Sequence, residues 1–281
     1  MKQTKRSASV TSPTEPLPEH AALFSDISRL TGMPFPNLIY RVLANEPGRL
    51  ESCWSRVRPG LARTCGPALR HRLLDSLPVE LGVATPNLRE GQRRELLAVL
   101  DAYDSGNSCN AVLVRLLLEG SRGRSGASPA CPVAQTPMGD LISLPELLEF
   151  SSMSPRALGL VANLARTVDP SGEVVPSLFR HLAHDEDLLK FIAAVLESSA
   201  RSGGFARAQH MLTLRITTES YEWPTPVEAI TDATCRAILE RFVEAIPRML
   251  GLSALIRSAL GSSHELTRNP FNGGLHPGQL K

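Results

Sequence analysis

Cysteine is scarce and unpaired in this 281-residue chain: Cys53, Cys65, Cys109, Cys131 and Cys235 are odd in number, and no two form a C-x-x-C. That spacing excludes a zinc ribbon and predicts reduced thiols in a cytoplasmic protein. An excess of one charge is lacking too, since 30 Lys and Arg against 28 Asp and Glu leave only +2. A dedicated nucleic-acid binder would carry a basic excess or stripe, so no nucleic-acid partner is expected. No apolar run reaches the roughly 18 residues that a bilayer span needs, so no membrane partner is expected either. The polar stretch Met1–His20 has no apolar core, which predicts no secretory leader. The glycine-rich phosphate loop, the dinucleotide fingerprint, the G-x-S-x-G elbow and H-E-x-x-H are all missing, so their chemistries have no support.

What is present reads as helix. Leu50, Trp54, Val57 and Leu61 recur at helical spacing, as do Leu96, Leu97, Leu100 and Tyr103. Ala111 to Leu118 is apolar apart from Arg115. In the second half the pattern returns at Leu188, Phe191, Ile192, Val195 and Leu196, and again at Ile238, Leu239, Phe242, Val243 and Ile246. Alternation with period two and Asn-Gly hairpin signals are nearly lacking from these stretches. The expected fold is all-α. With 42% hydrophobic residues, a chain this long buries about three quarters of its unfolded surface and needs no staple.

The order along the chain predicts two units. Residues 1–18 and 262–281 are rich in Ser, Thr, Pro, Gly and Asn and read as disordered tails; 120–139 reads as a Gly/Ser/Pro linker. Between them lie two segments, 19–119 and 140–261, that repeat one another. Tyr40-Arg-Val-Leu-Ala-Asn-Glu46 resembles Phe179-Arg-His-Leu-Ala-His-Asp185, and the same displacement pairs Leu50 with Leu189, Leu100 with Leu239 and Tyr103 with Phe242. We therefore expect two pseudo-symmetric helical repeats packed around a cleft. Arg41 and Arg180, kept in both, read as structural ion-pair or capping residues. A site needs asymmetry, which directs attention to Asn107 opposite Ile246 and to His181 opposite Val42.

Each candidate has two readings. His181, His184 and Asp185 supply the residue types of a metal site; alternatively Asp185 is an N-cap, with Glu186 and Asp187 complementing the helix dipole. Asp104-Ser-Gly-Asn107 reads as a helix break, with Gly106 ending one helix and Asn107 capping the next. Asn107 also offers a donor and an acceptor to a small polar ligand in the cleft. Pro34-Phe-Pro-Asn-Leu-Ile-Tyr40 is a core cluster by default and equally a pocket wall. Trp54 and Trp223 read as packing.

The run Met33–Gly48 and the segment Val99-Leu-Asp-Ala-Tyr-Asp-Ser-Gly-Asn107 resemble the group I D,L-2-haloacid dehalogenases, also labelled halocarboxylic acid dehydrogenases. The resemblance covers about residues 24–260. It implies an all-α homodimer that hydrolyses the carbon–halogen bond of small 2-haloacids without a cofactor. In that scheme an Asp activates a water for direct attack and an Asn places it. By position Asn107 matches the family Asn, Ser177 matches the Ser beside the catalytic carboxylate, and Phe35 and Leu38 fall at aromatic pocket positions. Leu178 falls where the catalytic Asp belongs, and leucine takes no proton. The resemblance then leaves His181, one turn further on, or Glu173, after a register shift, to activate water. The alternative is an altered or inactive member that binds a small carboxylic acid.

Overall fold

In the computed structural model the described residues are 20–33, 35–64, 66–75, 77, 79, 87–124, 144, 146–172 and 174–261. They form ten α-helices: α1 (Ala21–Thr31), α2 (Leu38–Leu43), α3 (Arg49–Thr64), α4 (Gly66–Leu74), α5 (Glu90–Glu119), α6 (Pro155–Val168), α7 (Ser177–Leu182), α8 (Glu186–Ser202), α9 (Gly204–Tyr221) and α10 (Ala233–Ala259). There is no strand among the described residues, only an isolated bridge between Ser121 and Val227. The fold is all-α, as the stripes predict. Both expected tails, Cys65, Cys131, Glu173 and most of the 120–139 segment lie outside the described residues. Within 120–124, Arg124 N donates to Trp223 O at 2.9 Å, and Ser121 and Val227 exchange backbone bonds.

Local chemistry explains where helices start. Ser154 accepts from Ala157 N with Pro155 in the first turn, Asp185 accepts from Asp187 N, and Asp232 accepts from Cys235 N. Each satisfies an amide that no carbonyl in its own helix can reach. Asp185 is thus the cap that its acidic neighbours signalled.

Packing joins the halves through α5 and α10. One buried cluster takes α1 to α4, the C-terminal part of α5 (Cys109 to Leu117) and α10 from Cys235 to Leu250. The other takes α6 to α8, the N-terminal part of α5 (Leu96 to Tyr103) and α10 from Ala245 to its C-cap Leu260. Each long helix therefore serves both cores. A charged group locks them together: buried Asp104 accepts from Ser253 Oγ at 2.8 Å and from Arg257 at 3.0 and 3.2 Å. Arg257 also reaches Asp101 at 2.7 Å, which in turn holds Arg70. Asp104 lies one turn before Asn107, so this network sets the rotation of α5 at the site.

The expected helix break at Gly106 is corrected here, because α5 runs unbroken from Glu90 to Glu119. Gly106 serves close approach instead. A Cβ there would lie 2.2 Å from Met33 Cγ and 2.6 Å from Asn37 Oδ1, so only glycine lets the segment entering α2 press on α5.

Candidate functional site

A cavity of about 50 Å³ lies where α2, α5, the entry to α7 and α10 meet. Its apolar walls include Leu38, Ile39, Val174, Phe242, Ile246 and Met249. Its polar groups are Asn37, Asn107, Asn110, Tyr103 and Ser177, and no carboxylate or imidazole lines it among the described residues. A second cavity of about 60 Å³ shares Leu38, Val174, Ser177 and Phe242 with it and is lined further by Phe150, Arg180 and Arg241. Asn107 and Ile246, the pair that breaks the sequence correspondence, face the same cavity.

Three amides meet in this wall. Asn37 Nδ2 donates to Asn107 Oδ1 at 3.3 Å, and Tyr40 OH donates to Asn110 Oδ1. Asn37 Oδ1 and Asn110 Nδ2 are buried with no partner among the described residues. Asn37 and Asn110 were not singled out from sequence. Asn107 and Asn110 stand three apart in a mostly apolar helix, a signal that was there to be read. Asn37 carried no such signal, because its partner is 70 positions away.

Two hydrogen-bonded pairs flank the cavity. Arg41 Nη2 donates to Ser177 Oγ at 3.1 Å, and Tyr103 OH lies 3.0 Å from His181 Nδ1. With His181 in the tautomer that carries its proton on Nε2, the Tyr103 hydroxyl donates to Nδ1. His181 is 3% exposed, and burial, followed by the nearby Arg180 and Arg41 charges, lowers its pKa to about 4. It is therefore neutral at pH 7. Burial raises the Tyr103 hydroxyl far enough that it stays protonated.

The other predicted residues fall around these pairs. Leu38 and Ser177 line both cavities. Phe35 does not line the first; its ring packs edge-on against Tyr103 at 5.6 Å and His181 at 5.3 Å. Leu178 is 1% exposed inside the second core cluster, turned from the cavity that its neighbour Ser177 lines. Trp54 and Trp223 are buried in the first cluster.

Two expectations need correction. Arg180 is a structural ion-pair residue, donating to Glu149 at 2.8 Å and to Leu148 O at 3.0 Å. Arg41 is not: it is buried, forms no ion pair among the described residues, and its Nε has no partner. The metal reading of His181, His184 and Asp185 also fails on geometry. His181 faces Tyr103, exposed His184 meets Glu146 O, and Asp185 caps α8 while accepting from Gln92 at 2.7 Å. Among the described residues no three His, Cys, Asp or Glu side chains converge. No helix there is long and apolar enough to cross a membrane.

No protein-family model matches the chain, and no curated protein does. Solved structures do. A D-2-haloacid dehalogenase mutant in complex with D-2-CPA is 16% identical with a TM-score of 0.64, covering 89% of this chain and 95% of that one. A D-2-haloacid dehalogenase in complex with L-LA is also 16% identical, with a TM-score of 0.62, covering 89% of this chain and 97% of that one. The chain has the fold of the D-2-haloacid dehalogenases.

Proposed function

We propose that the cavity binds a small 2-haloacid and that water, placed by Asn107, attacks C2 and displaces halide, yielding the 2-hydroxy acid. The proton released from water is taken up through Tyr103 by His181: Tyr103 OH passes its proton to His181 Nδ1 as it accepts the one from water. The observation that carries this reading is the Tyr103–His181 pair, whose phenol lines the same cavity as Asn107. A His181 with a pKa of about 4 is as strong a base as an ordinary carboxylate, the group that Leu178 displaces. No cofactor enters the reaction.

The second reading is a small-acid binder without turnover. It is favoured by the burial of Leu178 and by the lack of any carboxylate in the cavity wall among the described residues. Halide release from D- and L-2-chloropropionate and 2-bromopropionate separates the two. Release that is lost in Asn107→Ala and in His181→Ala supports hydrolysis. Binding of the acids with no halide release supports the binder. The same reading includes a cytoplasmic homodimer built from two copies of one helical unit, for which light scattering of the purified chain tests assembly.

A further inference from the structure

Helix α9 (Gly204–Tyr221) carries a face that its own fold leaves bare. Ala208, Leu212 and Ile216 turn inward and are buried. The charges of its second half also turn toward the molecule. Arg215 donates to Leu73 O at 2.9 Å and to Asp75 O at 2.6 Å, and Glu219 accepts from Arg72 at 2.7 and 2.9 Å. Both are thereby spent on α4 and its C-terminal end. From Thr213 to Tyr221 every exposed side chain is uncharged: Thr213, Leu214, Thr217, Thr218 and Tyr221. The threonine hydroxyls bond carbonyls of their own helix, Thr213 to Gln209 at 2.9 Å, Thr217 to Thr213 at 2.7 Å and Thr218 to Leu214 at 3.1 Å. That satisfies them within α9 and leaves the face apolar: three methyl groups, Leu214 at 50% exposure and the Tyr221 ring at 80%. The outer face of a surface helix is normally charged. Here Arg207, His210, Leu214, Thr217 and Tyr221, all exposed, succeed one another at intervals of 3, 4, 3 and 4 residues, the spacing of a helix–helix seam.

We infer that a second copy of this chain docks on that strip, with the two α9 helices antiparallel across a two-fold axis at Leu214. The inference rests on the homodimer reading above and gives it a surface. Self-complementarity selects a second copy as the occupant. In this register Leu214 meets the partner's Leu214, His210 meets the partner's Thr218, and Arg207 lies over the ring of the partner's Tyr221, next to the partner's Glu222. The guanidinium thus reaches the end of the partner helix that holds a ring, a carboxylate and the negative pole of the dipole. A parallel pair would instead set Arg207 against the partner's Arg207. With 18 residues the strip is about 27 Å long and about 10 Å wide. That is less than the roughly 800 Å² per partner of a standard interface, so the dimer is reversible, with a dissociation constant on the order of 10 µM.

Sedimentation velocity of the full chain from about 1 to 200 µM tests this, and the sedimenting mass should rise from one chain towards two. Leu214→Lys sets two ammonium groups against each other at the axis and should weaken association at least about tenfold. Arg207→Glu faces the partner's Glu222 and should weaken it about fivefold, since the two-fold axis makes each contact twice. If Leu214→Lys does not fold, Arg207→Glu decides. A wild-type dimer that both substitutions leave intact overturns the inference and leaves the homodimer reading standing. A dimer lost in Leu214→Lys but unaffected by Arg207→Glu overturns the antiparallel register. A wild-type monomer at every concentration overturns the homodimer reading and the inference with it, and gives the strip to a different protein.

Discussion

Acidification provides the sharpest test of the site, because His181 is a buried base whose protonation the surroundings oppose. Its folded pKa of about 4 lies below the ordinary 6.5, driven first by burial and then by Arg180, Arg41 and His184. Between those two values the unfolded chain binds a proton that the native chain does not, so stability rises with pH across the window. The contribution is complete above pH 6.5 and is lost as pH falls through about 4. The full gap corresponds to about 3 kcal/mol, most of which is gone by pH 4.5. His181 is almost fully buried, so solvent screening does not reduce the figure much. Other groups titrate in the same range, and urea denaturation should therefore be run on the wild type and on His181→Gln at several pH values from 7.5 to 4.5. Their stability difference should shrink or invert by about 2–3 kcal/mol toward acid, since glutamine does not titrate. Parallel pH curves for the two proteins, or an imidazole resonance of His181 titrating near 6.5, would refute both the burial argument and the role of this histidine as a neutral acceptor.

Four further outcomes follow from named contacts. Gly106→Ala gains helix propensity but drives a Cβ into Met33 and Asn37, so it should cost about 1–3 kcal/mol and weaken acid binding. An unchanged melting temperature with intact binding would mean that the approach of the two segments is looser than described. Leu178→Asp, which places a carboxylate where the sequence resemblance expects one, should cost about 3–5 kcal/mol, because the carboxylate enters an apolar core without a partner. Chemical denaturation measures that loss, and a gain of halide release in this variant would contradict the placement of Leu178. Arg257→Ala strands the Asp104 carboxylate with Ser253 alone and should cost about 3–5 kcal/mol in urea; a neutral effect would show that the network does not hold α5 to α10. Cys53 and Cys235, with sulfurs 3.4 Å apart and both buried, should react with an aromatic disulfide reagent only on unfolding. Rapid labelling of the native chain would contradict their burial.

Much of the frame was legible in the chain itself. Apolar residues at helical spacing marked α3, the two halves of α5, α8 and α10, since a helix face is a local property written in neighbouring residues. The cap at Asp185 was legible for the same reason, its acidic neighbours marking a first turn. The missing motifs and the scattered cysteines excluded whole chemistries without any coordinates. Even the pair Asn107 and Ile246 was visible as a break in an internal correspondence, and both line the cavity.

Only the tertiary structure decided what those residues do. Gly106 reads locally as a helix break, yet α5 continues, because the demand for glycine comes from Met33 and Asn37 on another segment. Arg41 and Arg180 are indistinguishable by sequence context, and only their surroundings separate them: Glu149 reaches one and no carboxylate among the described residues reaches the other. Tyr103 and His181 are 78 positions apart, and Asn37 and Asn107 are 70 apart. Helical periodicity records which face of a segment is apolar. It holds no information about which polar group from a distant segment arrives at that face, and in this protein those arrivals make the site.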